Sequence, residues 1–362
     1  MISKRHNVTI ANIQVLLSTL VVLIHGGSIF INLPGKSLQY VYGYNYSTFI
    51  QLFICEGVTR IAVPLFFVLS GYLFYKSFDG TLEQYYNKMK RRIRSLVIPY
   101  LFWSSFVFFL FFAAQKILGM GEYFTTRNED GLSLKVIVDN VIISSYDSPL
   151  WFCRYLIVFS VFSIGLYWLY RKLAIPTLLS LFLGWFFSYS FGIGIRMDAL
   201  FFYSVGAVIA LFPTEFERVY LRVRKLSGLL AIAWFATLIV HTELLCRKDP
   251  SYLLQGEYDV WIETIGKTGI ILGSFVFWNW FNSLKNEHEW NIATYSFLIF
   301  AIHHPVVNTL KKLFMKVFGV STLSSLLTFI LASICTIGLI ILFGYLMRRF
   351  LPRTYSVITG GR

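Results

Sequence analysis

Apolar runs of about twenty residues recur from one end of the chain to the other, each followed by a short polar or charged stretch. A helix of roughly 20 apolar residues crosses a ~30 Å hydrocarbon layer. The pattern therefore predicts an all-α protein, a polytopic membrane helix bundle. We place the spans at 8–31, 48–76, 95–118, 149–170, 174–191, 196–212, 228–245, 259–281, 294–315 and 322–347. About ten transmembrane helices put both termini on one side. Segment 119–148 is the longest connection on the opposite side. Within it, LSLKVIVDNVII has the amphipathic pattern of a short helix lying on the membrane surface.

Composition supports the membrane reading. Of 362 residues, 56% are hydrophobic and 14% charged, against about 25% charged in a soluble chain. With 36 Phe, 22 Tyr and 9 Trp, the apolar surface exceeds what one globular core can bury. Residues 1–362 read as a single integral-membrane domain, with no hydrophilic domain of useful size appended. The first run follows Lys4 and Arg5 and lacks a small-x-small cleavage site, so it is expected to be a retained span. Cys55, Cys153, Cys246 and Cys335 are scattered and form no CxxC pair, which gives no sign of a zinc site or a disulfide framework. No metal is expected.

The net charge of +14 must be read by position. A basic total can signal nucleic acid. Here Lys and Arg concentrate in alternate connections: Lys4 and Arg5, then Lys76 to Arg94, then Arg171 and Lys172, then Arg218 to Lys225, then Lys285, then Arg348 to Arg362. The intervening connections hold fewer. That bias marks the cytoplasmic side, so both termini are expected in the cytoplasm. The bilayer, rather than nucleic acid, accounts for the charge.

A few polar residues interrupt the apolar spans. Gln14, Ser18, His25 and Asn32 are spaced by four, seven and seven residues, which places them on one stripe of the first helix. Lipid offers such a stripe no partners, so it faces the bundle interior or a wet cavity. His25 is either an interhelical packing contact or a functional imidazole. In EGVTRIAVPLFFVLSG, Glu56 and Arg60 stand four apart and can pair, while Pro64 frees a carbonyl one turn back. Arg60 is either half of a structural ion pair or a fixed charge that orients a substrate. Lys88, Lys90, Arg91, Arg92 and Arg94 crowd the inner mouth of the third span. They serve as a topology and lipid signal, or as a guanidinium-rich site for a phosphorylated cytoplasmic ligand. In PLWFCRYL, Trp151 and Tyr155 are expected interfacial anchors, and Arg154 is a second intramembrane arginine. His303 and His304 point about 100° apart on a helix, so only one of them can face a given cavity. Glu263 and Lys267 form another spacing-four pair, read as structural.

Taken together these pieces resemble acyltransferase family 3, the integral-membrane O-acyltransferases that modify bacterial surface glycans. The matching elements are VLIHGG, the arginine ahead of VPLFFVLSGYLF, KMKRRIRSLVIPYLFW, PLWFCRYL, FFYSVGAVIA and YSFLIFAIHHP, in order over nearly the whole chain. The resemblance implies a ten-helix bundle that takes acyl-CoA from the cytoplasm and meets an acceptor hydroxyl on the other face. By position it implies that His25 is catalytic, that Arg60 is the essential arginine of the second span, and that Arg91, Arg92 and Arg94, with neighbouring Lys90, handle acyl-CoA. It favours His303 over His304. Gln14 stands where many members carry an arginine, and Tyr155 where many carry an acid. Some members also carry a fused SGNH-type domain, which this chain lacks. It would then complete transfer alone or hand the acyl group to a separate partner.

The expectation is an enzyme of the bacterial inner membrane. It would transfer an acyl group, acetyl first of all, from acetyl-CoA as co-substrate to a hydroxyl of a surface polysaccharide or lipid-linked sugar. His25 would act as general base and Arg60 would stabilise the oxyanion, with an acyl-histidine relay as the competing mechanism. Gln14, Ser18, Glu56, Trp151, Arg154 and His303 would line the path. The rival class is a transporter or flippase of a glycolipid or polysaccharide unit, which also needs a polar interior. Transporters often show two similar halves, and no internal repeat is visible here.

Overall fold

A computed structural model describes residues 2–31, 39–117, 132–143, 148–188, 196–255, 257–284 and 288–361. Asn32, Lys36, Arg127, Lys285 and Arg362 lie outside them. The described chain is a bundle of α1 (Ile2–Gly26), α2 (Tyr46–Leu52), α3 (Ala62–Tyr75), α4 (Leu82–Arg92), α5 (Ile98–Lys116), α6 (Leu134–Val138), α7 (Trp151–Val161), α8 (Ser163–Phe186), α9 (Met197–Leu211), α10 (Pro213–Arg224), α11 (Ser227–Cys246), α12 (Pro250–Gln255), α13 (Val260–Ser283), α14 (Ser296–Phe318), α15 (Thr322–Phe350) and α16 (Pro352–Ile358). Its one strand pairing is a two-residue antiparallel ladder, Phe30 with Tyr40 and Ile31 with Gln39.

Among the described residues, six helices are long and apolar enough to cross a membrane, or up to eight if α7 with α8 and α9 with α10 each count as one bent span. That is fewer than the ten expected from the sequence, for two physical reasons. α14 carries His303, His304, Asn308 and three lysines, so it is less apolar than its neighbours. The expected span 149–170 runs through α7 into the start of α8 and bends by 73° between them, and 174–191 begins within α8, so the stretch counts as at most one bent span. Within α8 the backbone leaves helical geometry at Leu173, directly after Arg171 and Lys172, where the charge pattern places a turn.

Two helices replace expected loops. α4 begins at Thr81, whose Oγ1 accepts from the Gln84 N–H at 3.3 Å, and runs through a π turn at Ile93–Val97 into α5. The basic cluster thus rides on a helical ramp. Lys88 reaches back to the end of α3, donating to the Phe74 carbonyl at 2.8 Å. α10 turns 109° from α9. Its Phe216, Tyr220 and Val223 face a cavity shared with α9 and α13, and its charged residues are exposed. The segment expected to lie on the membrane surface packs against another helix. α6 and the π turn after it fold back along α5 to its first turns, where Ser104 donates to the Val141 carbonyl at 2.9 Å and Tyr100 to the Ile142 carbonyl at 2.8 Å. Val141 packs there with Val107 and Phe108, so the apolar face of this segment is met by α5.

Glycines let the central helices touch. A Cβ at Gly71 of α3 would strike the Tyr203 carbonyl of α9, and one at Gly206 would strike the Val68 carbonyl of α3. Backbones this close are the small-residue packing expected of helices within a membrane. The core around this crossing is aromatic, with Phe67, Phe74, Tyr75, Phe159, Tyr170 and Tyr203 all buried.

Candidate functional site

The end of α1 is held from three sides. A side chain at Gly26 would run into Ser333 and Phe329 of α15, so the helix end lies flush against that neighbour. The last carbonyls of a helix lack intrahelical partners. Lys311 of α14 supplies two hydrogen bonds there, to the carbonyls of His25 at 2.7 Å and Gly27 at 3.0 Å. Cys55 donates to the Leu23 carbonyl at 3.3 Å. The departing chain is pinned by a buried network in which Gln51 Oε1 accepts from the Ser28 N–H at 2.8 Å. Gln51 Nε2 donates to Ser325 Oγ at 2.9 Å. His25, in the last turn of α1, therefore sits on a fixed backbone.

Arg60 reaches the same place from irregular helix. Between α2 and α3 the chain winds as a π turn, Phe53–Gly57, and then a 3-10 turn, Val58–Ile61, before Pro64. Such bulges frequently occur at functional sites. Glu56 and Arg60 come out on the same side, and both Nε and Nη2 of Arg60 donate to Glu56 Oε2, Nε at 2.8 Å. His25, Glu56 and Arg60 line a cavity of about 480 Å³ together with Trp151 of α7. α13 adds Glu263 and Lys267. It is set in place by Asp259, which accepts from the N–H groups of Trp261 and Ile262 at 3.0 and 3.2 Å. Lys248 donates to the Asp259 carboxylate at 2.6 Å.

A second cavity, of about 120 Å³, lies further along α1 and is lined by Gln14, Ser18, Ser70 and Arg92. Ser18 also donates to the carbonyls of Gln14 and Ser296, both at 2.9 Å. Three rings of this cavity, Phe66, Phe152 and Phe300, form a triangle with centroids 5.4 to 5.9 Å apart. Phe67, at 4.6 Å from Phe152, belongs to the His25 cavity. A layer of phenyl groups thus stands between the two chambers. The structure also divides the basic cluster. Arg92 turns inward over the Phe74 ring at 5.3 Å, whereas Lys90, Arg91 and Arg94 are exposed.

Two expected lining residues line neither chamber. Arg154 stands over the Tyr155 ring at 5.3 Å. His303 is fully buried, with its ring centroid 5.2 Å from that of His25. His304 stands 5.0 Å from His25, edge-on. Among the described residues, no group of three or more His, Cys, Asp or Glu is placed to hold a metal ion.

Sequence reasoning missed four residues of the larger chamber: Trp185, Arg196, Asp198 and His241. Arg196 pairs with Asp198 at 2.6 Å and covers the Trp151 ring at 4.4 Å. His241 carries the same signal that marks His25, a lone imidazole in an apolar helix. Arg196 and Asp198 give no such signal, because charges at helix ends are ordinary.

A family model described as an acyltransferase domain matches residues 7–346. The chain is similar to the succinoglycan biosynthesis protein ExoH of Rhizobium meliloti (strain 1021), with 24% identity over 360 residues covering 97% of this chain and 93% of that protein. No solved structure matches it.

Proposed function

Because this chain belongs to acyltransferase family 3, matched over residues 7–346, we propose that it is a membrane O-acyltransferase. It moves an acetyl group from acetyl-CoA to a hydroxyl of a polysaccharide or its lipid-linked precursor. The similarity to a protein of succinoglycan biosynthesis supports a glycan acceptor. The observation that carries the reading is the pair of chambers along α1, one presenting His25 with Arg60 and the other Arg92.

In this reading the chain has ten spans, one domain and both termini in the cytoplasm of a bacterial inner membrane. Arg92 receives the phosphates of CoA at the inner chamber, helped by Lys90, Arg91 and Arg94. Guanidinium forks suit phosphate. The thioester then extends along the stripe of Gln14 and Ser18. Eleven residues separate Gln14 from His25, ~16 Å of helix, a distance suited to the pantetheine arm. At the outer chamber His25 takes the proton of the acceptor hydroxyl. The oxygen attacks the thioester carbonyl, and the Arg60 guanidinium meets the oxyanion. When the intermediate collapses, the sulfur of CoA leaves and His25 returns the proton to it. Glu56 holds Arg60 in place for this step. Trp151 walls the acceptor side.

The test is a purified-protein assay with labelled acetyl-CoA and glycan. Label should pass to glycan as an alkali-labile ester. Binding of glycan without any transfer, or its passage across vesicles without acylation, would instead favour a transporter.

A further inference from the structure

We propose that His303 is a positioning residue for His25. Its Nε2 accepts a hydrogen bond from the His25 ring, which leaves the other ring nitrogen of His25 as the base. This rests on the reading of His25 as the general base.

The geometry fixes what His303 can offer. Its Nδ1 lies 2.8 Å from the Phe300 carbonyl and 3.1 Å from the Ile299 carbonyl. Carbonyls only accept, so Nδ1 carries the proton and donates. A neutral imidazole then has its lone pair on Nε2. That atom is buried without a hydrogen-bond partner among the described residues, and the side chain is 0% exposed. Buried acceptors left unpaired are rare and call for an explanation. The His25 ring lies beside that of His303, with centroids 5.2 Å apart and 42° between the planes. At that spacing, nitrogens of the two rings come within hydrogen-bond reach when they are turned toward each other. His304, the other imidazole beside His25, has its Nε2 3.1 Å from Asn308 Nδ2, so it is engaged elsewhere.

A base must present a lone pair to the hydroxyl, and an unconstrained imidazole divides between two tautomers and several orientations. Holding one N–H of the ring selects the tautomer and the orientation together. In serine hydrolases a carboxylate performs this service. Here a neutral acceptor does so without adding a charge to the membrane interior. No proton passes to His303. The hydroxyl proton goes to the cavity-facing nitrogen of His25 and leaves with the thiol.

Two near-isosteric variants separate positioning from packing. In His303→Gln the amide oxygen reaches the place of Nε2 but loses the backbone contact. In His303→Asn the amide stands at the place of Nδ1 and keeps that contact without an acceptor facing His25. Positioning predicts that His303→Gln is the more active per folded molecule. His303→Asn should lose on the order of 10–100-fold in kcat, the range for removing the outer-shell partner that orients a metal-bound histidine, with KM for acetyl-CoA little changed. The opposite ranking would overturn the proposal and leave His303 a packing residue. His25→Ala belongs in the same assay. If it turns over normally, the base assignment itself is wrong. If it is dead while His303→Asn outperforms His303→Gln, only the positioning fails. A readout independent of turnover is the nitrogen NMR spectrum of the imidazoles in the wild-type protein. A single neutral tautomer of His25 that becomes mixed in His303→Asn is expected, and a tautomer mixture already present in the wild type would contradict it.

Discussion

His25→Ala should lower transfer by ~10²–10⁴-fold, the range for general acid–base catalysis, while the protein stays folded. The backbone around it is tied by Lys311, Cys55 and the Gln51 network, none of which uses the imidazole. Turnover per folded molecule, with folding checked by thermal unfolding in detergent, measures this. The basic cluster yields a second residue-scale prediction. Arg92 lines the smaller chamber and Arg91 is exposed. Arg92→Gln should therefore raise KM for acetyl-CoA about tenfold or more. Arg91→Gln should raise it less, with an effect that fades as salt screens it. Equal effects at high salt would contradict the division. His25 and Arg60 were legible in the sequence because an ionisable group inside an apolar run needs a reason to be there. The inward turn of Arg92 was not, because this segment reads as a loop between two spans; only once α4 forms does Arg92 fall on the same face as Tyr85 and Met89. Arg196 and Asp198 were not legible either, since only the fold carries the start of α9 to Trp151.

At the scale of elements, the α3–α9 crossing is the tightest point of the bundle. Gly206→Ala would set a methyl against the Val68 carbonyl with no flexible side chain to yield. Overpacking of this kind costs about 1–3 kcal/mol, so the melting temperature should fall. Gly338→Ala in α15 is the control, because nothing lies within 4 Å of its added Cβ. There the better helix propensity of Ala should leave stability equal or slightly raised. A Gly206→Ala protein as stable as the wild type would mean that the two helices are not in backbone contact. The close approach at Gly71 follows from residue size, since only a glycine lets the Tyr203 carbonyl come so near. The bend between α7 and α8 and the return of α6 along α5 were not legible in the sequence. Both segments are apolar enough to pass for ordinary span or surface helix, and for the α6 segment only its partners on α5, Tyr100, Ser104, Val107 and Phe108, decide where it lies.

For the molecule as a whole, the alternation of apolar runs was enough to give a membrane bundle of helices. It could not reveal that two chambers share α1 with a layer of phenyl rings between them. That layer joins residues from α3, α7 and α14, which are distant in the chain. If the thioester must pass it while water does not, Phe152→Ala should raise acceptor-independent hydrolysis of acetyl-CoA several-fold and lower the fraction of acyl groups reaching glycan. Unchanged partition between water and glycan would show that the rings play no part in the route. The layer also frames the central claim, that His25 and Arg60 act on a donor arriving from the side of Arg92. Sealed vesicles of known orientation, loaded with glycan acceptor on the face of the His25 chamber, test it most directly. Labelled acetyl-CoA is added to one face at a time. The account predicts labelled glycan only when donor meets the cytoplasmic face that bears Arg92, and none from His25→Ala vesicles. Equal labelling from either face, or labelling that survives His25→Ala, would contradict it.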